Sequence, residues 1–145
     1  METIQLEKMV AYKHTGVVER IERTTTLSKE QAEVLFEDTK QFLYLCARHP
    51  EVTIPTKALD EGWHNFILFT EDYANFCETI LGKFVHHRPT SPKDSVPERQ
   101  QAAYESMLRI ATGEFGTTLS SNWTASNPTC CVSEDGGTTN CQDPK

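Results

Sequence analysis

From Leu6 to Ala111 apolar residues recur at spacings of three and four, the period of helices that bury one face. Leu6, Met9, Val10 and Lys13 open the pattern, Gly16 interrupts it, and Val17, Val18 and Ile21 resume it as far as Thr24-Thr25-Thr26. This predicts a first helix that breaks near Thr15–Gly16 and stops at the β-branched run. Ser28-x-x-Gln31 has the form of a capping box, and Leu27 before it is placed to staple the first turn. Ala32, Leu35, Phe36, Thr39, Phe42, Leu43 and Cys46 then trace a broad stripe that Pro50 ends. That width predicts a helix central to the core. Val52 and Ile54 alternate, but Pro50 and Pro55 bracket them too closely for a strand, so the segment reads as extended loop.

The densest pattern runs from Pro55 to Pro89, which holds three of the five His and four of the seven Phe. Thr56 offers an N-cap oxygen for a helix reaching about Phe69, with Leu59, Trp63, Phe66 and Ile67 as its buried stripe. Asp60 and His64 lie one turn apart on a face beside that stripe. Gly62, costly in a helix by about 1 kcal/mol against Ala, leaves room for a neighbouring backbone or for Asp60. Thr70 reads as the next N-cap, with Glu71 and Asp72 at the positive end of the helix dipole. Tyr73, Phe76, Cys77, Ile80 and Leu81 face inward, and Gly82 takes the left-handed closing position. The two helices form a hairpin, and the segment bearing His86 and His87 runs back along it.

A loop from Thr90 leads to Pro97, which fits the first position of a last helix carrying Tyr104, Met107, Leu108 and Ala111 inward. Gly113 and Gly116 are read as its end. Beyond Gly116 Ser, Thr, Asn and Gly dominate, with Leu119 and Trp123 as the only anchors before a tail too polar to fold alone. The expected architecture is all-α: a compact bundle of about five helices around a central Trp–His hairpin. It divides into a single helical domain over 1–123 and a flexible Cys-containing tail over 124–145.

Composition narrows the function. The formal net charge is −7, which opposes a phosphate-binding surface and argues against nucleic acid as a partner. No apolar run is long enough to span a bilayer, and METIQLEKMV has neither an apolar nor an Arg-rich leader. A cytoplasmic protein without membrane association is the resulting expectation. Its five Cys then read as reduced thiols: Cys46 and Cys77 in the core, and Cys130, Cys131 and Cys141 in the tail.

The candidate chemistry is a metal site. Asp60, His64 and one of His86 and His87 would supply a carboxylate and two imidazoles, a donor set suited to Zn²⁺ or, with open positions, to Fe²⁺. Neighbouring side chains on an extended segment point to opposite sides, so at most one of His86 and His87 can join. The bland reading is that Asp60 orients His64 by hydrogen bonding while the His pair docks the return segment. Cys130, Cys131 and Cys141 form a weaker candidate, a Zn²⁺ site completed from elsewhere, against an oxidisable tail. Cys77 with His64 has the composition of a thiol nucleophile and base, but Cys77 lies on an apolar helix face and reads as core. Glu19, Glu22, Glu30, Glu33 and Glu37 read as solvated helix faces, and Lys13, His14 and His49 as surface residues.

Several of these elements together resemble the glycine-rich domain-containing protein-like family. They are Val17-Val18-Glu19-Arg20-Ile21, Phe42-Leu43-Tyr44-Leu45, Leu59-Asp60-Glu61-Gly62-Trp63-His64, Ile67-Leu68-Phe69-Thr70, Asp72-Tyr73, Phe76-Cys77, Leu81-Gly82, His86-His87-x-Pro89, Phe115-Gly116 and Trp123. The resemblance covers roughly residues 17–123 and implies the helical module of that family without its glycine-rich segment, since Gly totals 7. It implies no settled activity. Two functions are therefore compatible with the sequence. One is a small soluble binding or adaptor module with a protein partner. The other is a metal-binding protein or metal-dependent enzyme using Asp60, His64 and His86 or His87.

Overall fold

Ser28 starts the helix on which the others pack. Its hydroxyl accepts from the Gln31 N–H at 3.1 Å, and Gln31 Oε1 accepts from the Ser28 N–H at 2.9 Å, closing the expected capping box. The helix that follows spans Lys29–Arg48 in a computed structural model that describes residues 2–88 and 97–124. In chain order the helices are α1 (Glu2–Ala11), α2 (Thr15–Thr24), α3 (Lys29–Arg48), α4 (Lys57–Ile67), α5 (Thr70–Phe76) with a π-helical turn at Cys77–Leu81, α6 (Pro97–Phe115) and α7 (Ser121–Thr124). Every regular element among the described residues is helical, so the fold is all-α. The chain divides more finely than the pattern suggests, because the first stripe splits into two helices and Trp123 forms a short helix of its own.

α3 contacts α1, α2, α4, α6, α7 and the π-helical turn. Its sequence accounts for this, because Phe42, Leu43, Tyr44 and Leu45 are all buried in succession and leave the second half no solvated face. Its buried polar residues are each assigned to a neighbour. Lys40 is fully buried, and its ammonium donates to the carbonyls of Val10 and Tyr12 at 3.3 and 2.6 Å and pairs with Glu37 at 2.9 Å. It therefore satisfies carbonyls where α1 ends. Burial pushes the Lys40 ammonium below its usual range, and Glu37 opposes that shift. Asp38 accepts from Ser120 Oγ at 2.5 Å and from Asn122 Nδ2 at 2.9 Å, which docks the approach to α7. Thr56 Oγ1 caps α4 by accepting from the Leu59 N–H and also donates to the Asn122 carbonyl at 2.7 Å. Trp123 is fully buried, as the anchor role requires, and Tyr104 Oη donates to its carbonyl.

Four local expectations are corrected. The break in the first helix falls over 12–14, before Thr15, because His14 rather than Gly16 ends the gap. His14 Nδ1 accepts from the Val17 N–H at 3.1 Å as the N-cap of α2, and its Nε2 meets Asp72 at 2.8 Å, so it is a tertiary link rather than a plain surface residue. Thr70 is the first residue of α5, not its cap; the turn from α4 is so tight that the Phe69 carbonyl already accepts from Tyr73. Gly113 lies within α6, which runs on to Phe115. The loop over 90–96 and the tail beyond Thr124, with Cys130, Cys131 and Cys141, lie outside the described residues.

Gly62 sets how close α4 comes to α3. A Cβ there would collide with Thr39 Oγ1 and stand 3.2 Å from Leu35 Cγ and 3.3 Å from Thr39 Cβ. The approach is to a side-chain hydroxyl, which itself donates to the Leu35 carbonyl at 2.7 Å. Gly62→Ala is expected to lower stability in urea unfolding by about 1–3 kcal/mol, the cost of overpacking, despite the better helix former. Thr39→Ala should destabilise the wild type yet stabilise the Gly62→Ala background, and a Gly62→Ala variant as stable as wild type would contradict the close packing.

Candidate metal centre

Asp60 and His64 occupy successive turns of α4, so their side chains rise from one face. Trp63, between them in sequence, turns inward and is 5% exposed. An indole buried so deeply needs a partner for its N–H. It donates to the Tyr73 hydroxyl of α5 at 3.0 Å, and Tyr73 in turn donates to the Val85 carbonyl. This relay holds the segment 84–88 against the hairpin. Gly82 begins the return: at φ +88° it closes the π-helical turn, with its N–H donating to the Cys77 carbonyl at 2.8 Å. The segment beyond is extended and alternates, with Val85 buried, His86 exposed and His87 half-buried.

His87 therefore faces α4 and His86 does not. The ring of His87 packs edge-on to Trp63 at 4.4 Å between centroids, whereas His86 lies against Phe84 at 4.7 Å. His87 Nε2 meets Asp60 Oδ1 at 2.7 Å, a hydrogen bond in which the imidazole N–H donates. His64 Nδ1 is 3.8 Å from Asp60 Oδ2, and the rings of His64 and His87 are 4.5 Å apart. Asp60 is only 6% exposed, and its carboxylate needs compensation that the two imidazoles supply.

The donor atoms of Asp60, His64 and His87 all lie within 4.8 Å of one another. Around a tetrahedral ion with ligands at about 2.1 Å, donors stand about 3.4 Å apart. Ligation thus asks Asp60 and His87 to part by less than an ångström and His64 to swing in by up to about 1.4 Å. The arrangement fits, and it removes His86 from the expected set.

A family match covers this region. Residues 5–114 match the model of the UCP032817-like family. The chain belongs to that family. The matched part of this UCP032817-like protein contains α4, α5 and the return segment, so Asp60, His64 and His87 all fall inside it. No curated protein and no solved structure matches the chain.

Cys77 is no nucleophile here. It is fully buried, and desolvation pushes its thiol up, against hydrogen bonding from the Val85 backbone. Burial likewise pushes the Tyr73 hydroxyl far up, with Cys77 adding to the effect. Both groups stay protonated near neutrality and serve to hold the return segment. The relay through Trp63, Tyr73 and Val85 is the part that periodicity does not reveal; its one trace in the sequence is a Trp and a Tyr on buried faces, each with a polar atom that requires a partner.

Tyr73→Phe leaves the Trp63 N–H and the Val85 carbonyl unpaired, and should cost about 1–3 kcal/mol in urea unfolding. Amide hydrogen exchange over residues 84–88 should accelerate in the same variant. Unchanged exchange there would show that the relay does not hold His87 in place.

Proposed function

We propose that this protein binds a divalent transition metal, Zn²⁺ or Fe²⁺, through Asp60, His64 and His87. The observation that carries the reading is the convergence of one buried carboxylate and two imidazoles from two separate segments within 4.8 Å. A carboxylate with two imidazoles is a donor set that both ions accept. Three protein ligands leave at least one coordination position open, a pattern associated with sites that act on a bound molecule rather than with closed structural sites. In this reading Asp60 supplies the negative charge, Trp63 and Val85 shield one flank, and the Tyr73 relay fixes the distance of His87 from α4. The D-x-x-W-H and His86-His87 segments that carry the resemblance to the glycine-rich domain-containing protein-like family are the segments that supply the ligands, and we extend the proposal to that relationship.

Elemental analysis of the purified full chain is the test. The wild type and His86→Ala should carry stoichiometric metal, and Asp60→Asn, His64→Ala and His87→Ala should lose it while remaining folded. Metal-free wild type after loading with Zn²⁺ and with Fe²⁺ would overturn the proposal.

A second reading, an adaptor that binds a protein, is favoured by a groove of about 770 Å³ between α2 and α3. Glu19, Glu22, Glu30 and Glu33 rim it, and Val34 stands 46% exposed at its edge. Charge complementarity would select a basic amphipathic helix. Titrating such a peptide against labelled protein should shift the amide signals of Glu19, Glu30 and Val34; shifts confined to other surfaces would contradict this reading.

A further inference from the structure

His64 belongs to two places at once. It is one corner of the Asp60–His64–His87 cluster, and it also lines a separate pocket of about 420 Å³ between α2 and α4. Arg20, Thr24, Glu61, Asn65 and Leu68 share that lining. The pocket lies near the lower end of the range for small-molecule sites, roughly 300–1,000 Å³.

Most polar groups of the pocket are already engaged. Thr24 Oγ1 donates to the Arg20 carbonyl at 2.9 Å and lies 3.3 Å from Asn65 Oδ1. Asn65 Nδ2 donates to the Glu61 carbonyl at 2.9 Å and reaches the Glu61 carboxylate at 3.5 Å. Arg20 differs. Its Nε is buried without an acceptor, and among the described residues its guanidinium forms no ion pair. Nε itself is out of solvent's reach, so it is the remainder of the half-buried guanidinium that can meet a ligand in the pocket, and the planar fork of Arg is shaped to receive a carboxylate.

The chemistry of the rim selects among anions. Glu61 faces the pocket and Asp60 adjoins it through His64, so a dianion such as a phosphate monoester would meet two carboxylates. A monoanion meets less repulsion. Ile67 and Leu68 add an apolar side to the pocket, with Leu68 58% exposed and able to cover a short hydrocarbon body.

We propose that this pocket receives a small aliphatic monocarboxylate whose carboxylate is shared between Arg20 and the metal at Asp60, His64 and His87, with its hydrocarbon body against Ile67 and Leu68. This rests on the metal-binding reading above. Arg20 is here a binding residue; one carboxylate oxygen takes an open coordination position of the ion, and no covalent bond of the ligand is made or broken.

The test uses the full chain loaded with Co²⁺, whose visible absorption reports its ligand sphere, and butyrate as the probe. One Co²⁺ per chain should bind to the wild type, and butyrate should change the Co²⁺ bands saturably. Arg20→Gln should keep the Co²⁺ and need at least about tenfold more butyrate, the loss expected for one charge-assisted hydrogen bond. Leu68→Glu, a change at an exposed position that introduces a like charge, should weaken butyrate in the same way and serves if Arg20→Gln does not fold. Bound Co²⁺ that is indifferent to butyrate, or variants that respond as the wild type does, would overturn the pocket assignment and leave the metal reading standing. Absence of bound Co²⁺ would overturn both.

Discussion

The Tyr73 hydroxyl stands between the indole N–H of Trp63 and the carbonyl of Val85, and the candidate site depends on that position. A hydroxyl that donates once and accepts once can join two elements while leaving neither of its partners unsatisfied. Here it joins α4 to the segment that returns after the π-helical turn. His87 follows Val85 by two residues, so it shares the side of the extended chain that faces α4. The same relay is buried, and buried polar groups that are fully paired specify one arrangement strongly because any other leaves them exposed to a large penalty.

Around this hairpin the fold uses one helix as its axis. α3 carries Asp38, Thr39 and Lys40 in succession, all buried, which for charged residues demands dedicated partners. Lys40 serves the end of α1, Asp38 the approach to α7, and Thr39 the close approach of Gly62 in α4. These contacts make α3 a connector as well as a hydrophobic core element. They also explain why α4 lies at a fixed depth, with its Asp60–His64 face at the edge of the core and partly open to solvent.

Much of this was legible in the residues. The capping box at Ser28, the cap at Thr56, the glycine closing the hairpin and the anchor at Trp123 all follow from local chemistry that tertiary packing did not override. Alternation along an extended segment already limited the His pair to one participant, though not which one; the choice of His87 came from the Val85 contact, a tertiary interaction no local rule encodes. His14 escapes local rules for a related reason. An imidazole capping a helix while pairing with Asp72, which lies 58 residues away, is written in no short window. Charged residues such as Lys40 also read as surface until their distant carbonyl partners are known. Described helices include none long and apolar enough to cross a membrane, in line with the hydropathy of the chain.

The function proposed for this protein lies in the cluster of Asp60, His64 and His87, and the ligand sphere of a bound ion reports on that cluster. X-ray absorption at the zinc edge of the loaded full-length protein would read that sphere. An ion held by Asp60, His64 and His87 gives a shell of nitrogen and oxygen at about 2.0–2.1 Å with scattering from two imidazoles. A sulfur shell at about 2.3 Å would place the ion on cysteines, Cys130, Cys131 and Cys141 among them, and would contradict the proposed site.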